Sequence, residues 1–247
     1  MIGEVIVDGE ERYTITKAIA VNNRPNAHLY LCVDRNGNKF VAKHFYNMHP
    51  MSNVALGKHN HYGRRRDGSA WVFDEIRKKN ETHDFLVKHI ARIRHNGKWI
   101  IILEFIEGIL LSEYIKTNFN DWQKVEAAVI AFTEKLVEWH SNNFAHGDPH
   151  LDNVMIDPNT MKVVIIDYSQ IHHPDFWYCQ HYGCFDPDPQ RRLKHDLDNY
   201  TDKLGDGFLN CLGYLQDEFK LGNSLTDLFG KHYTIVLNYD DSQATSN

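Results

Sequence analysis

Cysteine is scarce in this chain: Cys32, Cys179, Cys184 and Cys211 are the only four among 247 residues. They are too few and too scattered for a disulfide-stapled domain. Long apolar runs are missing as well. The most apolar stretch, Trp99–Ile106, contains Glu104 and falls far short of the roughly 20 residues that cross a bilayer. Met1–Glu11 lacks the basic-then-apolar order of a signal peptide, so the expectation is a soluble protein, cytoplasmic where it is made. Positive charge is not in excess either. Lys+Arg 27 against Asp+Glu 33 gives a net charge of −6, which disfavours a general nucleic-acid-binding surface. No internal repeat or low-complexity block is visible. What remains is an ordinary globular composition, 42% hydrophobic and 24% charged, long enough for one large domain or two lobes with a substantial core.

The first third alternates as strands do. Tyr13–Val21 is followed by the turn-rich Asn22-Asn23-Arg24-Pro25-Asn26 and then by Ala27–Val33. Asp34-Arg35-Asn36-Gly37-Asn38 carries an Asn-Gly hairpin signal, with Lys39–Tyr46 as the return strand. Residues 47–68 read as a long polar connection, with Arg64-Arg65-Arg66 inside it. Ser69 is placed to cap a helix over about Ala70–Thr82, in which Trp71, Phe73 and Ile76 recur at helical spacing. Phe85-Leu86-Val87 and Trp99–Leu103 read as further strands, separated by the turn His95-Asn96-Gly97-Lys98. From Gly108 onward the period becomes helical. Asn120 with Gln123 forms a capping box for a helix to about Ser141, with Trp122, Val125, Val129, Phe132, Leu136 and Trp139 as its buried stripe. Two short strands, Asn153–Ile156 and Lys162–Ile166, precede a mainly helical stretch over roughly Gln190–Tyr233 and a frayed tail, Asp240–Asn247. The expected class is α+β, with a strand-rich lobe over 1–105 and a helical lobe over 106–247.

Chemistry concentrates in His146-Gly147-Asp148-Pro149-His150-Leu151-Asp152-Asn153, which supplies an Asp and an Asn just after a helix and just before a strand. Beyond it, Ile165-Ile166-Asp167-Tyr168-Ser169 ends an apolar strand in a carboxylate, and upstream Val41-Ala42-Lys43 lies on the hairpin's return strand. Over about residues 13–215 this order resembles the protein-kinase-like superfamily, in which a strand Lys, a catalytic-loop Asp with Asn, and a metal-binding Asp recur.

The resemblance implies a two-lobed kinase fold binding ATP and Mg2+ and acting on a hydroxyl acceptor. Phosphoryl transfer needs polyphosphate charge neutralised and a hydroxyl placed in line with the γ-phosphorus. By match to the family motif, Lys43 would hold the α- and β-phosphates, and Asp148 would orient or accept the acceptor's proton. Asn153 and Asp167 would supply the hard oxygen ligands that magnesium demands. Glu75 is the candidate partner of Lys43, with Asp74 as the competing choice. Leu103-Glu104-Phe105-Ile106 would form the hinge whose backbone groups pair with adenine.

Gly147-Asp148-Pro149-His150 looks like the catalytic loops of atypical and small-molecule kinases. Among them are aminoglycoside and choline phosphotransferases, ABC1-like atypical kinases, and especially bacterial lipopolysaccharide core heptose kinases, which also resemble the chain in Ile166-Asp167-Tyr168-Ser169. The implied acceptor is then a lipopolysaccharide core sugar, with peripheral membrane contact. A compact protein serine/threonine kinase, such as a secreted bacterial effector, and an inactive pseudokinase scaffold are the alternatives. Gly147 stands where regulated protein kinases commonly carry Arg, which removes a grip for a phosphorylated activation loop. The loop Val21–His28 lacks the usual phosphate-cradling glycines, whereas the presence of Lys43, Asp148, Asn153 and Asp167 together argues for activity. His172, His173, Cys179, His181 and Cys184 match no zinc template and read as a packed segment shaping the acceptor site. Asp196 and Asp198 lie where the family places a carboxylate bracing the catalytic loop, and surface carboxylates describe them equally well. Asp152 reads as structural or solvated, and Cys32 as a core strand residue.

Overall fold

Two Asn-Gly turns organise the N-terminal part. Gly37 has φ 83°, and the Asp34 carboxylate accepts from the Asn36 and Asn38 N–H groups at 2.8 Å each. Asn96 (φ 50°) and Gly97 (φ 78°) are both left-handed, as a two-residue primed turn requires. The computed structural model describes residues 1–20, 27–45, 68–147, 149–167, 171, 173–176, 196–197 and 207–233. It divides into two compact units, Met1–Ile106 and Glu107–Asn247.

The first unit is an antiparallel sheet of β1 (Val5–Asp8), β2 (Glu11–Ala20), β3 (Ala27–Val33), β4 (Lys39–Phe45), β5 (His89–His95) and β6 (Lys98–Glu104), in the order β1-β2-β3-β4-β6-β5. Side chains alternate between its faces. One face buries Ile6, Tyr13, Ile15, Tyr30, Cys32, Ala42, Ile93, Ile100 and Ile102. Cys32 is thus the core strand residue it was expected to be. The other face gathers Ala27, Phe45 and Ile101 around Phe73, which α1 (Gly68–Lys79) lays against the sheet. Lys43 pairs with Ile101 across β4 and β6, so it belongs to the face that α1 covers.

Phe85-Leu86-Val87 is not a strand; β5 begins at His89. Leu86 and Val87 are buried all the same. The Asn80 amide takes the place of a strand partner: its Nδ2 donates to Leu86 O (3.4 Å) and Val87 O (3.3 Å), and its Oδ1 accepts from His89 N (3.1 Å). A side-chain clamp satisfies the backbone that a ladder would otherwise satisfy.

The second unit contains β7 (Ile109–Leu110), α2 (Leu111–Asn118), α3 (Trp122–Ser141), a 3-10 turn (Leu151–Asn153), β8 (Val154–Ile156), β9 (Val163–Ile165), α4 (Phe208–Glu218) and a final helix, α5, over 225–233. β7, β8 and β9 form a small antiparallel sheet. Gly108 enters it with φ 154°, and a Cβ there would lie 2.6 Å from Ile156 O, so only glycine lets these backbones approach. α3 buries Val125, Val129, Phe132, Leu136 and Trp139, all 0% exposed. Its cap is Asp121 and not Asn120, because it is the Asp121 carboxylate that accepts from Lys124 N. Phe132 packs against Phe208 of α4 and Phe229 of α5, with ring centroids 5.1 and 6.0 Å away. No helix among the described residues is long and apolar enough to cross a membrane. The 47–67 connection, most of the Gln190–Tyr233 stretch up to residue 206, and the tail Asp240–Asn247 fall outside the described residues, apart from Asp196 and Leu197.

Candidate functional site

In the first unit Lys43 is half-buried at the middle of β4, held in register by Leu29 on one side and Ile101 on the other. Its Nζ lies 5.6 Å from the Phe45 ring centroid, a cation–π distance. The two carboxylates competing as its partner differ in surroundings. Asp74 is 50% exposed and pairs with Arg92 of β5 at 3.0 Å. Glu75 is 20% exposed and meets Lys78 at 3.5 Å. Arg92 in turn lies over the Phe73 and Trp99 rings, so the Asp74 pair belongs to the packing of α1 on the sheet.

Of the segment expected to face adenine, the Glu104 N–H is already engaged. It donates to Lys88 O at 2.9 Å, and the Glu104 carboxylate accepts from Lys88 N at 3.1 Å. Phe105 is half-buried under Lys39, whose Nζ is 5.3 Å from its ring, and Ile106 closes the unit half-buried. The Glu104 amide is therefore a structural group.

The second unit assembles a loop around one buried carboxylate. Asp196 is 0% exposed and accepts from the His146 N–H (2.6 Å), the Gly147 N–H (3.0 Å) and His140 Nε2 (3.2 Å). Burial alone would raise its pKa; the hydrogen bonds from His140 and from the Gly147 N–H outweigh burial and hold the carboxyl below its ordinary range. Of the two carboxylates left open by the sequence, Asp196 braces the loop, while Asp198 lies outside the described residues. Gly147 has φ 74°, the left-handed region, so its identity answers a backbone demand as well as replacing an Arg. Asp148, the expected catalytic residue, falls outside the described residues, between Gly147 and Pro149. The loop continues under a second tie, from Gly207 N to Pro149 O at 2.9 Å.

Asn153 and Asp167 are brought together by β8 and β9. Val154 pairs with Ile165, and one step farther the Ile166 N–H donates to Asn153 O at 2.7 Å. The two residues named as metal ligands therefore flank one cross-strand hydrogen bond. The Ile166 carbonyl accepts from His146 Nε2 (2.8 Å), which fastens the same strand end to the loop. Asp167 then takes φ 61°, a left-handed conformation that Asp adopts more readily than most non-glycine residues. Asn153 is buried, with Nδ2 set 3.1 Å from His150 Nε2, so Oδ1 is its side-chain atom suited to a hard cation. Amide and carboxylate oxygens are of the donor type that magnesium takes. Asp152 accepts from the Ser112 hydroxyl at 2.5 Å, in keeping with a structural role.

Among the described residues no three His, Cys, Asp or Glu side chains gather as metal ligands. Of the His and Cys set after Asp167 only His173 is described; it is buried against Phe144 and Phe176, with Nδ1 accepting from Asp175 N. His140 and Tyr233 were not singled out from sequence, yet His140 Nδ1 lies 2.6 Å from the Tyr233 hydroxyl. The signal was present: His140 follows Leu136 by four residues, which puts it on the buried stripe of α3.

Residues 75–178 match the ABC1 atypical kinase-like domain, a span that includes Glu75, Glu104, Asp148, Asn153 and Asp167 but not Lys43, Asp196 or Tyr233. A Synechocystis protein is 22% identical over 152 residues, 60% of this chain and 24% of its own length. A probable serine/threonine-protein kinase of Dictyostelium discoideum is 27% identical over 105 residues, 42% of this chain and 20% of the other. A probable serine/threonine-protein kinase of Plasmodium falciparum is 28% identical over 87 residues, 33% and 17%. The chain spans about a quarter or less of these relatives' length. The autoinhibited serine kinase domain of titin is 18% identical with a TM-score of 0.47, covering 65% of this chain and 46% of that one. Residues 75–178 are thus similar to atypical protein-kinase-like domains, and the fold is mixed α+β with a β-rich N-terminal unit.

Proposed function

We propose, taking this protein-kinase-like architecture as the premise, that the chain is an ATP- and Mg2+-dependent phosphotransferase acting on a hydroxyl acceptor. The observation that carries the reading is the double fastening of the loop before Asp148. Asp196 holds its backbone at His146 and Gly147, and His146 in turn holds the strand end that presents Asp167. A purely structural loop has no need of a buried carboxylate, a left-handed Gly147 and a left-handed Asp167 together.

In this reading Asp148 orients the acceptor hydroxyl and takes its proton as the new O–P bond forms. The bond from the γ-phosphorus to the bridging oxygen breaks, and ADP leaves. Lys43 neutralises the α- and β-phosphates, with Glu75 as its carboxylate partner, and Asn153 and Asp167 hold the magnesium ion. Bound magnesium would supply charge neutralisation along the triphosphate. Glu104, Phe105 and Ile106 line the adenine side. For the acceptor we take a sugar hydroxyl of the lipopolysaccharide core, supported by the resemblance of Gly147-Asp148-Pro149-His150 to small-molecule kinase loops. A protein hydroxyl is the competing acceptor.

The test is a thermal-shift titration with ATP and Mg2+, followed by incubation with γ-labelled ATP, lysate proteins and lipopolysaccharide. Asp148→Ala is expected to retain the ATP shift and lose transfer, and Asp167→Ala to lose the magnesium-dependent part of the shift. Label in the lipopolysaccharide supports the sugar acceptor, and label in proteins replaces it with a protein acceptor. A folded chain with no shift and no transfer is a scaffold and overturns the reading.

A further inference from the structure

The second unit buries a polar chain that the proposed chemistry does not itself use. It starts on α5, where the Tyr233 hydroxyl lies 2.6 Å from His140 Nδ1. It crosses the imidazole to Nε2, 3.2 Å from Asp196 Oδ2, the same oxygen that accepts from His146 N at 2.6 Å. Tyr233, His140 and Asp196 are 7%, 4% and 0% exposed, so water does not substitute for these contacts. The proton inventory has one consistent solution with a neutral imidazole. Asp196 accepts throughout, so Nε2 carries the ring proton and Nδ1 must accept, which makes the Tyr233 O–H the donor. Burial, and then the charge of Asp196, hold the Tyr233 phenol above its ordinary range, so the proton needed for that donation is in place.

The hydroxyl is separable from the packing of its ring. Tyr233 stacks on Phe229 at 5.4 Å and 16°, and meets the His140 ring edge-on at 5.8 Å. Phenylalanine preserves both contacts and deletes only the donor. We infer that Tyr233 is a positioning residue: by fixing the His140 tautomer it sets how Asp196 holds the His146–Gly147 backbone. The kinetic consequence rests on the phosphotransferase reading; the structural consequence does not.

The test uses Tyr233→Phe in the full chain, with amide hydrogen exchange at His146 and Gly147, 15N spectra of the His140 imidazole, and steady-state kinetics. Loss of one buried hydrogen bond in the relay is expected to speed exchange at these two amides by about five- to tenfold. The His140 spectrum should leave the pure Nε2–H form. Turnover should fall by roughly the same factor with KM for ATP unchanged. In an Asp196→Asn background Tyr233→Phe should add little, because the relay is already cut. Exchange at the two amides unchanged within about twofold, or raised uniformly along α3 and α5, overturns the relay. If the amides and the imidazole respond but the wild-type chain transfers no phosphate, the relay stands and the phosphotransferase reading falls. If transfer is normal and neither responds, the relay alone falls.

Discussion

Replacing Asp196 by alanine removes the acceptor shared by the His146 N–H, the Gly147 N–H and His140 Nε2. Each donor left buried without a partner costs about 1–3 kcal/mol, so the three together set a range of roughly 3–9 kcal/mol. Two effects reduce this. The carboxylate's own desolvation cost, several kcal/mol for a buried ion, disappears with it. Water also enters the space vacated among polar groups and satisfies some of the donors. The net expectation is a loss of about 3–4 kcal/mol, large against a total stability of roughly 5–15 kcal/mol. Asp196→Asn keeps the shape and one acceptor oxygen but turns an NH2 toward a backbone N–H, so about 2 kcal/mol is expected. Glu113→Ala, at an exposed pair with Lys116, is the control and should stay within about 0.5 kcal/mol. Urea unfolding followed by tryptophan fluorescence reads all three, since Trp139 is fully buried beside His146. The pH dependence has a definite sign. The native carboxyl sits below its ordinary range, so its contribution is present above the unfolded-state value and is lost as pH falls through the native one. Asp196→Asn should therefore flatten the acid limb of stability. A cost below 1 kcal/mol for alanine, or an ordering in which asparagine is the worse variant, refutes the argument that this carboxylate organises the loop.

Three further outcomes follow from single positions. Gly147→Ala forces a Cβ into φ 74° and is expected to cost about 1–2 kcal/mol in urea unfolding, with transfer lost to a greater degree than stability. Gly108→Ala sets a Cβ 2.6 Å from the Ile156 carbonyl oxygen at φ 154° and should cost about 2–3 kcal/mol; a neutral result would mean that β7 and β8 do not approach as described. Burial first, then Lys98, His28 and His95, hold the His44 pKa down to about 4. The unfolded chain therefore takes up the proton that the folded one refuses, so stability is full above about pH 6.5 and declines toward pH 4. His44→Leu should reduce that slope in pH-resolved urea midpoints, and an unchanged slope would refute the assignment.

Much of the fold was legible because its signals are local. Asn36-Gly37 and Asn96-Gly97 fix two hairpins through short local turns, and the period of α3 names its own buried face. Errors arose where tertiary contacts replaced local ones. Phe85-Leu86-Val87 is as apolar as a strand and as buried as one, but the Asn80 side chain takes its hydrogen bonds. β1 was missed because only Ile6 of its four residues is buried. α2 was missed because eight residues without a side-chain cap give little helical signal. In the site, the motif order singles out Lys43, Asn153 and Asp167 as candidates, and what it could not show is the bond from Ile166 N to Asn153 O beside the last two.

The choice between Asp196 and Asp198 shows why such a site resists reading from sequence. The two residues share a segment, a charge and the same distance to the motif within two positions, so no pattern separates them. What singles out Asp196 is a sum of donors. A carboxylate with no exposed surface is tolerated only where enough N–H groups converge on it, and here they arrive from three places: the loop backbone at His146, the loop backbone at Gly147, and the end of α3 at His140. His140 contributes only because its other nitrogen is satisfied from α5, so a loop of eight residues depends on a helix that begins 72 positions after its last member, Asn153. Motifs record residues that touch a substrate; the residues that hold those in place are selected by closure of a hydrogen-bond network across the unit. That closure exists only once the chain has folded.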